Sequence, residues 1–157
     1  FVFTHQWDKA IEQLRSSIDL DPNNWFDHYF LGRAYVQKGR FPEAIATLKR
    51  AISLEGTTEV WASLGHVYAV SGKRREAQEV IEHLRELSVH QYVAPYNVAV
   101  IYAGLGEKDE AFAWLNRAYE ERSYLLTYLR VDERLDELHS DPRFAELVRR
   151  VGLPAPR

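Results

Sequence analysis

Three glycines constrain this chain more than any other feature. Gly39, Gly72 and Gly106 recur at a near-constant interval, each inside the same pattern. The first copy reads Leu31-Gly32, Tyr35, Gly39, Glu43-Ala44, Leu48 and Ala51. The second reads Trp61, Leu64-Gly65, Tyr68, Gly72, Glu76-Ala77, Ile81 and Leu84. The third reads Tyr96, Val98-Ala99, Tyr102, Gly106, Glu110-Ala111, Leu115 and Ala118. Self-similarity at a fixed period of this size means a stack of like units, each needing its neighbours to bury an apolar face. A half unit precedes them: Trp7-Asp8-Lys9-Ala10, Leu14 and Asp21-Pro22 match the second half of a copy. His5 then takes the marker-glycine place, one full interval before Gly39.

Within each copy apolar residues recur at three- and four-residue steps, the signature of helices with one buried stripe. Helices are expected over roughly 7–20, 25–37, 41–54, 58–70, 73–87, 94–104 and 107–121, with boundaries good to about two to four residues. The marker glycines should end the first helix of each pair in a left-handed conformation. Gly32, Gly65 and Ala99 are expected to face Ala44, Ala77 and Ala111, letting the paired axes approach closely. Pro42 and Pro95 fall where first-turn prolines are tolerated.

This pattern resembles the tetratricopeptide repeat, a helix–turn–helix unit whose length matches the interval between the marker glycines. The family has an aromatic at the fourth position, Leu-Gly at seven and eight, and Tyr at eleven. The unit opening at Thr58 matches with Trp61, Leu64-Gly65 and Tyr68. The unit opening at Trp25 has His28 for the aromatic, and the unit opening at Tyr92 has Pro95 there and Ala99 for the glycine. The resemblance implies an all-α fold: a right-handed superhelical stack of antiparallel helix pairs with a C-terminal helical cap. The expected division is a partial unit at 1–24, units at 25–57, 58–91 and 92–123, and capping helices and tail at 124–157.

After Ser123 the period breaks. Tyr124 to Leu129 is a helix-compatible apolar stretch, Asp132 to Leu138 a short helical turn, and Ser140-Asp141-Pro142-Arg143-Phe144 opens a last helix. Asp141 suits its cap and Pro142 its first turn. An atypical final element normally covers the apolar end of a stack. Pro95-Tyr96, Ala99, Ile101-Tyr102-Ala103, Leu105 to Asp109, Ala111-Phe112, Trp114-Leu115 and Ala118 to Ser123 follow a narrower pattern, continued in Val131-Asp132, Arg134, Asp136, Leu138 and Ser140 to Phe144. It resembles the C-terminal repeat regions of multidomain bacterial signalling and transcription-regulator proteins, which implies a sensory or interaction module. The chain lacks methionine and begins at Phe1, inside a repeat unit, so it reads as a piece of a longer protein or a processed form.

Little here suggests catalysis. With no cysteine there are no disulfides, thiolate metal sites or cysteine nucleophiles. Six histidines (His5, His28, His66, His83, His90 and His139) include no pair three or four apart on one helix, so no metal is expected. No phosphate-cradling glycine loop occurs, and no cofactor is expected. A net charge of −3 argues against nucleic acid, and Lys73-Arg74-Arg75 and Arg149-Arg150 read as solvated faces. No membrane span is present, and the expected setting is cytoplasmic.

The expected partner is therefore a protein or peptide. In the family the first helix of each pair lines a concave groove at positions two, five, nine and twelve. Carried over, the groove residues are Phe26, Tyr29, Arg33, Glu59, His66, Tyr96 and Asn97. Tyrosines there offer apolar area with a hydroxyl, and Arg33 a two-pronged donor for a carboxylate or phosphate. Tyr29 and Tyr96 read equally well as space-fillers against the next repeat or the cap. The family's clamp for chaperone C-termini is not matched, because Tyr29, Arg33, Ser63, Val93 and Asn97 stand at its five positions. The alternative is self-association as a homodimer through Phe1, Phe3, Trp7, Ile11 and Leu14, on a helix lacking its usual neighbour.

Overall fold

A computed structural model describes residues 2–153, with side chains from Gln6 onward. The described residues form eight α-helices: α1 (Val2–Leu20), α2 (Trp25–Gln37), α3 (Phe41–Leu54), α4 (Thr58–Val70), α5 (Arg74–Leu87), α6 (Pro95–Gly104), α7 (Lys108–Glu120) and α8 (Pro142–Val151). Two 3-10 helices, Tyr124–Tyr128 and Glu133–Leu138, lie between α7 and α8. The helix positions follow the repeat, except that α1 begins earlier than its periodicity suggests. The first two expected elements after Ser123 are both 3-10 helices.

The turns inside the pairs share one geometry. Gly39, Gly72 and Gly106 have φ of 72°, 84° and 75°. The residue after each glycine donates its N–H back to the tyrosine carbonyl at position eleven: Arg40 to Tyr35, Lys73 to Tyr68 and Glu107 to Tyr102. This 6→1 bond is the helix-ending motif that a left-handed residue permits. The same closure ends α7, where Arg122 sits at φ 55° and Ser123 donates to the Ala118 carbonyl.

Helices pair as α2 with α3, α4 with α5 and α6 with α7, and successive first helices touch through α4 and α6. Close approach comes from Gly32 and Gly65, but against larger partners than the expected alanines. A methyl on Gly32 would lie 2.5 Å from Leu48 Cγ, and one on Gly65 would lie 2.6 Å from Ile101 Cδ1. So each glycine seats a branched side chain of a neighbouring helix. Apolar burial divides into two cores. One, around Leu31, Tyr35, Leu48 and Val67, joins α1 to α4. The other, around Leu84, Ile101, Leu115 and Leu138, joins α4 to α8. Trp61 and Tyr68 pack against both.

Candidate interaction face

The first helices α2, α4 and α6 carry the expected groove residues, and the chain runs back across them after α7. Asp132 starts this return by capping the Glu133–Leu138 helix, accepting from the Arg134 N–H at 3.0 Å. Its carboxylate also accepts from the Tyr96 hydroxyl at 2.8 Å. Arg134 grips it with two prongs, at 2.9 and 2.8 Å, the bidentate geometry that suits guanidinium and carboxylate. Arg134 reaches on to the Ser63 hydroxyl of α4 at 3.1 Å. Arg33 of α2 donates to Glu133 at 2.8 and 3.1 Å and to the Tyr29 hydroxyl at 3.1 Å. It stands 3.5 Å from the Asp132 carboxylate. One polar network thus ties three first helices to three consecutive residues of the returning segment.

Burial sets the electrostatics. Desolvation alone would raise the Asp132 pKa, but hydrogen bonds from Arg134, the charges of Arg134 and Arg33, and the Tyr96 hydroxyl outweigh it. The carboxyl is held well below the usual range. Burial and the adjacent Asp132 charge push the Tyr96 hydroxyl well above its ordinary value. His66 is 5% exposed; burial, aided by the Arg134 and Arg33 charges, lowers its pKa to about 3, so the ring is neutral. The Nδ2 of Asn97 is buried without a hydrogen-bond partner among the described residues.

The returning segment is an integral part of the core. Leu126, Leu129, Leu135 and Leu138 are all buried in the second core. Each contributes roughly 1.5–3 kcal/mol relative to an exposed position. Together they rival the margin of about 5–15 kcal/mol by which a domain is stable. A ligand would not displace this segment without unfolding much of the second core.

Beyond the returning segment, the start of α2 is uncovered. Phe26 is 51% and Phe30 38% exposed, with ring centroids 4.7 Å apart. Trp25 packs edge-on to Phe26 at 5.4 Å, and Tyr29 against Phe30 at 5.1 Å. Arg33 lies 5.8 Å from the Phe30 ring centre, close enough for a cation–π contact. An exposed aromatic row beside a charged group is what recognition surfaces use.

Two tetratricopeptide repeat models match, one over residues 4–66 and the other over residues 63–125. Residues 4–125 belong to the tetratricopeptide repeat family. A curated relative, the peroxisomal targeting signal receptor of Pichia angusta, is 27% identical over 159 residues. The match takes in 91% of this chain but only 27% of that receptor. Two solved structures of MamA share the fold, at TM-scores of 0.52 and 0.51 and 21% identity. They cover 92% and 93% of this chain, and 84% and 79% of theirs.

Against the tetratricopeptide groove read from the sequence, the structure divides the residues into two sets. Tyr96, Asn97 and His66 are buried where the returning segment crosses, so in this conformation they face the chain itself. Arg33 sits at the boundary, donating to Glu133 on one side and to the hydroxyl of the buried Tyr29 on the other. Only Phe26 is well exposed; Glu59 is half-buried at the start of α4. The expectation of one continuous open groove therefore needs correction, because residues 132–134 fill its middle.

The self-association residues change status as well. Ile11 is buried in the first core, with Trp7 and Leu14 packed against that core. Phe1 and the Phe3 side chain lie outside the described part. Asp132, Glu133 and Arg134 are the residues whose role the sequence did not reveal. Their signals are a run of charge between apolar stretches and the place of Asp132 and Arg134 in the narrower C-terminal pattern, neither of which says what they touch.

Among the described residues no cluster of three or more His, Cys, Asp or Glu side chains could hold a metal ion. None of the described helices is long and apolar enough to cross a membrane.

Proposed function

We propose that this chain is a non-catalytic scaffold that holds a peptide segment or a neighbouring domain at the open end of its concave face. It would serve as a sensory or regulatory module of a larger bacterial protein. The exposed ring pair Phe26 and Phe30, beside Arg33, carries this reading. Tetratricopeptide repeats mediate protein–protein contacts, and the Pichia angusta relative is named a receptor for a targeting signal. Closure of the groove by residues 132–134 shifts the contact toward α1 and α2.

The test uses a photo-crosslinking side chain at position 26 or 30, with Gln78 on the exposed face of α5 as control. The expected result is a discrete protein adduct from 26 and 30 and none from 78. Binding of that protein, once purified, should then fall in Phe26→Ser/Phe30→Ser with the melting curve unchanged. Equal adducts from all three sites would sink the proposal. Tyr29→Ala and Arg33→Ala are poor probes, because both release groups that hold the returning segment.

Self-association is the alternative, now resting mainly on Trp7 and Leu14, each half-buried in α1. A concentration series by light scattering decides it: a strict monomer at every concentration removes the idea.

A further inference from the structure

The repeat register exposes a gap on the side formed by the second helices. In the second unit the fourth-position aromatic, Trp61, lays its ring against His83, with centroids 4.3 Å apart. Its Nε1 reaches over the end of α3, where it would lie 3.6 Å from a methyl built on Gly56. Moving one repeat along, Trp61 becomes Pro95 and His83 becomes Arg117. Pro95 starts α6 and has no aromatic ring to extend over the end of α5. A cavity takes the place of that ring, with Leu84, Val98 and Trp114 among its apolar lining and Arg85 and Arg117 at its rim.

The charges around this slot are unevenly engaged. The Arg117 guanidinium lies 4.3 Å from the Trp114 ring centre and makes no ion pair among the described residues. Arg85 has one exposed acidic neighbour, Glu82, at 3.6 Å. The acid on the lining, Glu121, already accepts a hydrogen bond from the Tyr92 hydroxyl at 2.9 Å. So the apolar floor is bordered by Arg117, which has no ion pair among the described residues, and by Arg85, whose one pair is long and exposed, while its acid is held by a neutral partner. The equivalent slot one unit earlier is lined by Glu76 and Glu79 as well as by Trp61 itself. That slot has an internal ring in its wall, and its two acids stand beside Lys49 and His83.

We infer that the slot between α5, α6 and α7 receives an aromatic side chain of a partner polypeptide, flanked by a carboxylate. The ring stands where Trp61 stands one unit earlier. The carboxylate meets Arg117 and Arg85, the planar guanidinium of Arg117 stacking on the incoming ring as it does on Trp114. This surface is separate from the ring pair on α2 and does not depend on it.

The test maps small probes onto the intact chain by amide and indole NMR shifts. Indole-3-propionate carries the ring and the carboxylate; tryptamine carries the same ring with an amine. Indole-3-propionate should shift the Trp114 indole and the amides around Tyr92 and Arg117 at millimolar concentration, as befits so small a ligand. Tryptamine should bind about two- to fivefold more weakly, the range of an exposed ion pair. Pro95→Trp should abolish the shifts by restoring the internal ring. Arg117→Gln should remove the preference for acid over amine while leaving ring binding. Phe26→Ser/Phe30→Ser should change nothing here, so loss of the α2 contact and loss of this one are distinguishable. The inference is overturned if no such shifts appear by ~10 mM, an affinity too weak to matter. It is equally overturned if tryptamine matches the acid, or if a folded Pro95→Trp still responds. Should Pro95→Trp not fold, the Arg117→Gln comparison decides alone.

Discussion

The two ends of the concave face are made from the same repeat and behave oppositely. At the α2 end, aromatic rings stand in solvent around Phe26 and Phe30. At the α4 and α6 end, the equivalent surface is polar, buried and closed by Asp132, Glu133 and Arg134. The difference lies in what each end faces. Residues on α6 have the returning chain against them, so Tyr96 and Asn97 become interior groups whose polarity must be met internally. Residues at the start of α2 have no such neighbour, so their chemistry remains available. Position in a repeat therefore nominates a binding residue, and only the neighbouring chain decides whether it is free.

Removing the returning segment should have the largest effect. A chain ending at Ser123 loses Leu126, Leu129, Leu135 and Leu138 from the second core. It should lose its cooperative melt, with exchange protection collapsing in α6 and α7 and persisting longest in α2 and α3. A truncated chain that melts as the full chain does would show the cap to be dispensable.

A gentler cut is Asp132→Ala, which leaves Arg134 buried without its acid. Stranding a buried charge costs about 3–5 kcal/mol. At the open end, Phe26→Ser and Phe30→Ser should each stay within about 0.5 kcal/mol, as exposed positions do. Denaturant midpoints of the three variants give the ratio directly.

Acid should weaken the closed end first. His66 has a folded pKa of about 3 against 6.5 ordinarily, so the unfolded chain binds its proton first. Its contribution is complete above about pH 6.5 and is lost as pH falls toward 3. The slope is at most about 1.4 kcal/mol per pH unit for one proton. Asp132, also depressed, adds its loss as pH falls below its ordinary 3.8. In His66→Gln the upper part of this slope should flatten, which melting curves between pH 7 and 4 would register.

The smallest effect concerns Asn97, whose Nδ2 is buried without a partner among the described residues. Replacing it with leucine removes an unmet donor of about 1–3 kcal/mol and adds some crowding. The expected outcome is a melting temperature equal to or slightly above the parent's. A marked fall would mean the amide is satisfied in solution.

Much of this was legible beforehand because it is periodic. The marker glycines predicted the turn inside each pair, and each proved to be left-handed. The tail's role as a cap was legible from the broken period and the Asp141-Pro142 helix start. Its path was not. Arg33 and Glu133 are 100 residues apart in sequence, and no local pattern encodes such a meeting. For the same reason Tyr96 could be read as either anchor or filler, since both need a large ring with a hydroxyl. Trp7, Ile11 and Leu14 were legible as an apolar stripe, but the stripe did not say which neighbour covers it.

That long-range contact also has a kinetic meaning. Bonds between nearby residues within a helix pair form early, whereas closing a loop of this span carries an entropy cost met only once other contacts are in place. The contacts of Glu133 with Arg33 and of Arg134 with Ser63 require α2, α4 and α6 to stand in register. A misaligned stack would present the carboxylate of Asp132 with the wrong neighbours and leave two guanidinium groups unmatched. The fit of these three residues is thus a test of the register of all three first helices at once.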